Sequence, residues 1–581
     1  QQKTIATINQ TLNNKQNALI HAPTGSGKTI AALYPTLQYA KTHQKKVFFL
    51  TSRQTQHIMA RQTAQKLHVR IVDMVGKQHM CIHDDVLAQQ DFYHACRFAR
   101  EKGKCSYFKH IRKQEHEAEE YAQATQTIDP KDAIQIGYQQ QWCPYEFAAL
   151  AARQTELIIG DYSYIFHDRI RDTFLKRIQT DSADCIVIID EAHNLGKRIK
   201  EWYGQKLSTF MLRRAIEEAN EPIADLLRNI LYTFEEFIDQ NDIQERVVPK
   251  DFFTSLFDMP YNEALKMLYM YVAQQENKQS YIHGVAQFME SWTKYDTGFT
   301  RIFGMDYTRK QPTMQLSLKC LDPAIISEPI VESCHSVIGM SATLLPLQMY
   351  QDTLGMGQDA QLLLCESNFP TQNALHIVCP SITTKFSTRT TQEYEKIAQL
   401  ITNALRDIPG NTVIFFPSYA LQQAIGALIQ TSKTVFWEKS GFDPTQRALL
   451  LEQFKSQHQS GGVLYAVASG SFGEGIDLPG EFLQGVIIVG LPLAKPNLEM
   501  QQLIAYYQEV YGRGWEYGYI YPALNTIMQN AGRCIRSETD KGVIIYMDER
   551  FLWGQYKQCF SPDMNIIVSQ DLQEISEFFD M

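Results

Sequence analysis

The segment His21-Ala22-Pro23-Thr24-Gly25-Ser26-Gly27-Lys28-Thr29 carries the most specific chemistry in the chain. Apolar Ala18-Leu19-Ile20 precedes it and Ile30-Ala31-Ala32-Leu33 follows, so the context is strand, glycine-rich loop, helix start. Glycines let backbone N–H groups curl around phosphate oxygens, and the helix N-terminus adds the positive end of its dipole. Thr24, Gly25, Ser26 and Gly27 would line the phosphates. Lys28 would reach the β- and γ-phosphates, and the Thr29 hydroxyl would ligate Mg2+. Ala22 stands where the general pattern has its first glycine. The alternative is a strand-to-helix turn that happens to contain glycines; the unbroken match GSGKT in this context argues against it.

A second acidic site lies downstream. Cys185-Ile186-Val187-Ile188-Ile189 is an apolar run without alternation, as expected of a strand buried on both faces of a parallel sheet. It ends in Asp190-Glu191-Ala192-His193, at the carboxyl end where such sheets bind ligands. Asp190 would hold the Mg2+ shell, and Glu191 would orient and deprotonate an attacking water. His193 would relay nucleotide state to neighbouring segments. Alone, DEAH could be a solvated helix start; an upstream phosphate loop disfavours that.

The DEAH box resembles that of superfamily 2 helicases, and further motifs follow in their order. Val337-Ile338-Gly339-Met340-Ser341-Ala342-Thr343 resembles the Ser-Ala-Thr coupling motif. Gly410-Asn411-Thr412-Val413-Ile414-Phe415-Phe416 resembles the first strand of the second motor domain. Gly470-Ser471-Phe472-Gly473-Glu474-Gly475-Ile476-Asp477 resembles motif V, and Gln529-Asn530-Ala531-Gly532-Arg533-Cys534-Ile535-Arg536 resembles motif VI. The resemblance implies ATP as the nucleotide, with Gly473 and Asp477 close to it. Arg536 would act as an arginine finger at the γ-phosphate, with Arg533 beside it and Gln529 touching nucleotide or bridging the lobes. Thr51-Ser52-Arg53 resembles motif Ia, and Ser52 and Arg53 suit phosphate contacts along DNA. A solvated loop is the competing reading for Arg53.

Cys81, Cys96, Cys105 and Cys143 lie between the two nucleotide motifs, spaced C-x14-C-x8-C-x37-C. Structural zinc sites use tight knuckles, and this spacing has none. Four thiolates can hold a cubane iron–sulfur cluster. The placement, with Gly76-Lys77-Gln78-His79-Met80-Cys81 and Trp142-Cys143-Pro144-Tyr145, resembles the XPD family of iron–sulfur helicases, to which DinG and FANCJ are related. Zinc and unrelated buried cysteines are the alternatives. Residues 76–113 hold eight Lys or Arg against four acids, interleaved with Tyr93, Phe98, Tyr107 and Phe108. Lys77, Arg97, Arg100, Tyr107 and Lys109 would make a single-strand path by charge and stacking. A solvated face over a small core is the plainer reading.

The resemblance implies an α/β fold of two RecA-like motor domains, with an iron–sulfur cluster insert and a helical arch insert in the first. Motor domain 1 would comprise residues 1–75, 149–206 and 313–350, and motor domain 2 residues 351–581. The cluster domain would span 76–148 and the arch 207–312. In the arch, Leu212, Ile216, Ile223, Leu227, Ile230, Leu231, Phe234 and Ile238 recur at helical spacing, as do Leu265, Leu268 and Val272. Leu321-Asp322-Pro323, at the return, also looks family-like.

Composition adds limits. At 581 residues the chain exceeds one core, and no run of apolar residues is long enough for a membrane span. The net charge is −9, so a polyanion would need a local basic path. There are eleven Cys, an odd number; Cys185, Cys320, Cys334, Cys365 and Cys379 read as packing residues, and Cys559 carries no signal. The chain begins at Gln1 with no signal-peptide pattern, and native N-terminal residues are expected to be missing.

Together these imply an ATP-dependent 5′–3′ DNA helicase on single-stranded and forked DNA, serving nucleotide excision repair. It would use ATP, Mg2+ and a 4Fe-4S cluster. It would be a cytoplasmic, archaeal-type monomer, with repair or transcription factors as candidate partners. The alternatives are a DinG-like helicase for R-loops and an ATP-gated iron–sulfur scaffold that does not unwind DNA.

Overall fold

The computed structural model describes all residues except 24, 90, 241–244, 275–279, 307–312, 367–368, 474–477, 479–481, 494, 536, 563 and 581, and the side chains of 237–240. Thr24, Asp477 and Arg536 therefore lie outside the described residues, as do Glu474, Gly475 and Ile476 of motif V and the side chain of Ile238.

The first sheet contains β1 (Ala18–His21), β2 (Lys46–Thr51), β3 (Ile71–Asp73), β4 (Thr127–Ile128), β5 (Leu157–Asp161) and β6 (Cys185–Asp190). After an insertion it gains β11 (Ser336–Ser341) and β12 (Gln361–Leu364), in the order β12-β1-β11-β6-β2-β5-β3-β4, all parallel. Its strands read as continuous apolar runs because successive residues enter two different cores. Leu19, Phe48 and Val187 pack on one face; Ile20, Phe49 and Ile188 pack on the other. Each such side chain taken from water contributes about 1.5–3 kcal/mol.

The insertion forms an antiparallel sheet, β7 (Gln205–Ser208), β10 (Thr313–Cys320), β9 (Phe299–Asp306) and β8 (Arg246–Val247). Helices Thr209–Glu218, Glu221–Gln240, Tyr261–Gln274 and Tyr281–Lys294 accompany it. Leu212, Ile223, Leu227, Ile230, Leu231, Phe234, Leu268 and Val272 are buried; Ile216 and Leu265 pack at the edge. Three strand pairings cross the sequence-based boundaries. β12 pairs with β1, so the first sheet continues past residue 350 into the segment assigned to motor domain 2. β10 pairs along its length with β9, so the insert sheet continues to Cys320, past residue 312. β4 pairs with β3 in the motor sheet, so the cluster segment is tied back to motor domain 1 midway. The β3–β4 pairing has no local signal, because its strands are distant in sequence, whereas β9 and β10 are consecutive strands.

The second lobe is a parallel sheet, β15-β16-β14-β17-β18-β13-β19. Its strands are β13 (Ala374–Val378), β14 (Thr412–Phe416), β15 (Thr434–Trp437), β16 (Gly462–Val467), β17 (Gly485–Val489), β18 (Gly542–Met547) and β19 (Ile566–Val568). Among the described residues no helix is long and apolar enough to cross a membrane.

Candidate nucleotide site, thiol cluster and basic surfaces

β1 ends at His21, and the chain turns through Gly25 (φ +77°) and Gly27 (φ +72°) into the helix Lys28–His43. Both glycines occupy the left-handed region that costs a side chain dearly. Lys28 opens the helix and Thr29 follows it in the first turn. The Lys28 ammonium lies 3.6 Å from the Glu191 carboxylate, yet its Nζ is buried without a hydrogen-bond acceptor. Asp190 Oδ1 is likewise buried and unpartnered.

Three carboxyl-end loops converge here, because β1, β11 and β6 are neighbours in the sheet. Ser341 Oγ donates to Glu191 Oε2 at 2.8 Å and lies 2.7 Å from His193 Nδ1. The hydroxyl has one proton, which goes to Glu191, so His193 Nδ1 must donate to Ser341. Thr343 Oγ1 sits 3.1 Å from the same nitrogen and accepts from Gln529 Nε2 at 3.4 Å. Gln529 belongs to the second lobe, so a chain of polar contacts runs from Lys28 through Glu191, Ser341, His193 and Thr343 across the interface.

The electrostatics divide the two carboxylates. Burial, then the charge on Glu191, push Asp190 up to about 7, with Lys28 opposing. Burial would raise Glu191 too, but Lys28, His193 and the Ser341 hydroxyl hold it below the usual carboxylate range. Glu191 takes φ +51°, uncommon outside glycine, and the Tyr162 hydroxyl pins that turn from 2.5 and 2.9 Å off the Asp190 and Glu191 carbonyls. Tyr162 had no signature in the sequence.

A cavity of about 360 Å³ lies between the lobes, lined by Pro23, Glu191, Thr343, Gln529 and Arg533 among others. Ser52 and Arg53 line it too, so both face the interlobe cleft. The Arg533 guanidinium is buried and donates to the Gly473 carbonyl. Buried Glu438 shapes the same loop, accepting from Val467 N at 2.8 Å and Ser471 N at 2.6 Å.

Cys81, Cys96 and Cys105 pack against one small core of Val86, Phe92, Ala95 and Ala99. Cys143 approaches from the far side of the insert. Burial pushes its thiol up to about 12, and Cys105, Cys96 and Cys81 add to the shift, so all four thiols share one electrostatic neighbourhood. Burial pushes Cys81 up to about 11. Among the described residues no three His, Cys, Asp or Glu close around a single ion.

The basic residues separate into two sets. Lys77 turns inward, its ammonium 4.8 Å from the Tyr145 ring, and burial brings it down to about 8 while Cys96 and Cys143 oppose. Arg100 stacks on Phe108 at 4.4 Å, and its Nε is buried without a hydrogen-bond partner. Arg97 and Lys109 are exposed, and Tyr107 is half-buried, its carbonyl accepting from Cys143 N at 3.1 Å.

Sequence reading missed a second surface. The loops after β13 and β18, neighbours in the second sheet, present Phe386 (87% exposed) and Trp553 (41% exposed). Lys385 lies 4.6 Å above Trp553 and Arg389 5.5 Å from Phe386. Buried Asp548 fixes both loops, accepting from Thr384 N at 2.8 Å and Arg550 Nε at 2.7 Å. The signal was available: two cations flank an aromatic in a Thr/Ser-rich stretch just past an apolar run.

Residues 30–212 match the family model DEAD_2, and residues 401–565 match that of a helicase C-terminal domain. The ATP-dependent DNA helicase XPD of Sulfolobus acidocaldarius is 23% identical, over 95% of this chain and 96% of its own. The XPD helicase subunit of general transcription and DNA repair factor IIH from Dictyostelium discoideum is 22% identical, over 94% and 84%. A solved XPD helicase superposes with a TM-score of 0.68 at 21% identity, covering 98% of both chains. Xpd4 of S. tokodaii superposes at 0.62 and 15% identity, over 98% and 99%. The likeness to XPD helicases thus spans nearly the whole chain.

Proposed function

We infer that this XPD-like chain is an ATP-dependent DNA helicase that translocates 5′ to 3′ on single-stranded DNA and serves nucleotide excision repair. The observation that carries the motor reading is the polar chain from Lys28 to Gln529, which links a phosphate loop in one lobe to motif VI in the other. The orphaned Lys28 Nζ and Asp190 Oδ1 are of opposite sign, and a Mg2+–phosphate group would satisfy both. Lys28 would hold the phosphates, and Thr29 and Asp190 the Mg2+, which supplies charge neutralisation when bound. Glu191, held ionised, would orient water and take its proton. Ser341, His193, Thr343 and Gln529 would carry the change between lobes.

The thiol quartet fits a 4Fe-4S cluster. Cations Lys77 and Arg100 face the thiols, and the orphaned Arg100 Nε suits an anionic sulfur acceptor. When bound, the cluster would supply the metal–thiolate bonds that fix this lobule. Arg97, Tyr107 and Lys109 on one side, and Lys385, Phe386, Arg389 and Trp553 on the other, would hold the single strand by charge and stacking.

The test measures DNA-stimulated ATPase beside strand displacement on duplexes with 5′ or 3′ single-stranded tails. Displacement only from 5′ tails is expected. ATPase without displacement would favour a scaffold, and a preference for 3′ tails would overturn the polarity. Lys28→Ala or Glu191→Gln should abolish turnover and leave DNA binding largely intact; wild-type turnover in either would defeat the active-site assignment.

A further inference from the structure

Beyond the named motifs, one segment of the second lobe joins the nucleotide relay to the arch. It comprises the helix Leu498–Tyr511, a π-helical turn Glu516–Ile520 and the helix Tyr521–Ala531 that ends beside Gln529 and Arg533. Single π turns inside α-helices frequently mark functional sites. Tyrosines interlock along it: Tyr507 with Tyr511 at 5.4 Å, Tyr511 with Tyr517 at 5.7 Å, and Tyr517 with Tyr521 at 6.1 Å.

Their hydroxyls reach into the first lobe at one place. Tyr511 donates to Asp322 Oδ2 at 2.9 Å, and Tyr507 to the Leu321 carbonyl at 3.1 Å. Tyr517 donates to Asp352 Oδ2 at 2.7 Å. Lys200 Nζ, in turn, donates to the Tyr507 hydroxyl at 3.4 Å. Asp322 is buried, and its other oxygen accepts from Ala324 N at 3.1 Å, at the start of the helix Ala324–Ser333. Leu321 and Asp322 directly follow β10, the last strand of the arch. A further contact is made on β10 itself, where Lys319 pairs with Glu499 at 2.7 Å.

The segment therefore touches the arch root at one end and the Lys28–Gln529 chain at the other. Midway, Asn525 Nδ2 donates to the Tyr350 hydroxyl at 2.8 Å. Alongside lies a groove of about 730 Å³, lined by Lys197, Lys319, Glu499, Tyr507 and Tyr517 among others. Motion of the segment would widen or close this groove, where a fully packed boundary would resist it.

We propose that residues 498–531 form a connecting rod through which nucleotide closure, read at Gln529, moves the arch, with Tyr507, Tyr511 and Glu499 as positioning residues at the arch end. The proposal rests on the motor reading above.

The test uses the full-length protein as wild type, Tyr511→Phe, Glu499→Gln and the double variant. Amide hydrogen exchange of residues 299–306 and 313–320 is read with and without a Mg2+–non-hydrolysable ATP analogue. ATPase and strands displaced per ATP are read on the same preparations. In the wild type, the analogue should change exchange in both strands. The double variant should lose that change and keep its ATPase, while displacement per ATP falls about fivefold, as expected for lost hydrogen bonds. A merely structural role would lower melting and leave the nucleotide-dependent change intact. Glu499 is 44% exposed and its pair contributes little stability, so Glu499→Gln decides the question even if Tyr511→Phe folds poorly. Wild-type-like exchange changes in a folded variant would overturn the rod. So would a wild type that unwinds DNA with no change in either strand, and the motor reading would survive that result.

Discussion

Two inserts interrupt the first lobe, and they are held together by different means. The arch builds its core from interlocked aromatics: Phe253 meets Phe288 at 5.4 Å and Trp292 at 5.6 Å, and Phe252 meets Phe303 at 5.4 Å. Among the described residues it buries Arg301, whose Nη2 donates to the Trp292 carbonyl at 2.8 Å, the Tyr295 carbonyl at 2.5 Å and Asp296 at 2.8 Å, while its Nε has no acceptor. The thiol lobule has a core of Val86, Phe92, Ala95 and Ala99, two of them alanines. Its Arg100 lies against the Phe108 ring and, like Arg301, has an Nε without an acceptor. An element with large apolar faces folds on its own packing. One without them must draw its order from something else, and the four thiols are what it has.

The largest test of this contrast is Cys105→Ser. Iron should fall from about four per chain toward zero, and strand displacement should drop by an order of magnitude or more. Amide protection should vanish over residues 81–108 and persist in the arch. The loss should stop near Ile111, because Ile111, Ala118, Ile128 and Trp142 pack into the main core and β4 pairs with the motor sheet. ATPase should therefore survive in large part. Zinc without iron in anaerobically prepared wild type would sink the cluster, and protection lost across the whole first lobe would erase the contrast.

The reverse substitution is Phe253→Ala. Removing a buried aromatic costs about 3–5 kcal/mol, so arch exchange should accelerate sharply while iron content stays at the wild-type value. Iron lost together with arch protection would mean that the two inserts fold as one unit.

The same contrast governs what was legible in the sequence. Strands such as Cys185–Asp190 announce themselves because both faces are buried, and the nucleotide residues sit at their carboxyl ends. The cysteine spacing stood out because no packing pattern explains it. The contacts that link elements were silent. Tyr162, Glu438 and the Tyr511–Asp322 pair each act on a partner 28 or more residues away, and a lone Tyr or Glu has no periodicity to betray its partner. Lys77 and Arg100 read as part of a single-strand path, yet both lie near the thiols, since a local count of cations says nothing about which way they point.

The finest discrimination comes from the two arginines. Arg301→Gln removes the buried Nη2 that donates toward three acceptors, so it should destabilise the arch by about 2–3 kcal/mol, with or without iron. Arg100→Gln should behave conditionally. In the iron-loaded protein Arg100 would answer the negative charge carried by thiolate ligands, and losing it should weaken cluster retention by about 1 kcal/mol, some fivefold in the rate of iron loss to a chelator. In iron-free protein the thiols are protonated, because burial raises Cys81, Cys105 and Cys143. Arg100 then faces the like charges of Lys77 and Arg177, so its removal should be neutral or slightly stabilising. Chelator-driven iron release, and the melting of the stripped protein, read the two halves of that expectation. Equal destabilisation in both forms would show that Arg100 is packed as Arg301 is, and that the lobule holds itself together as the arch does.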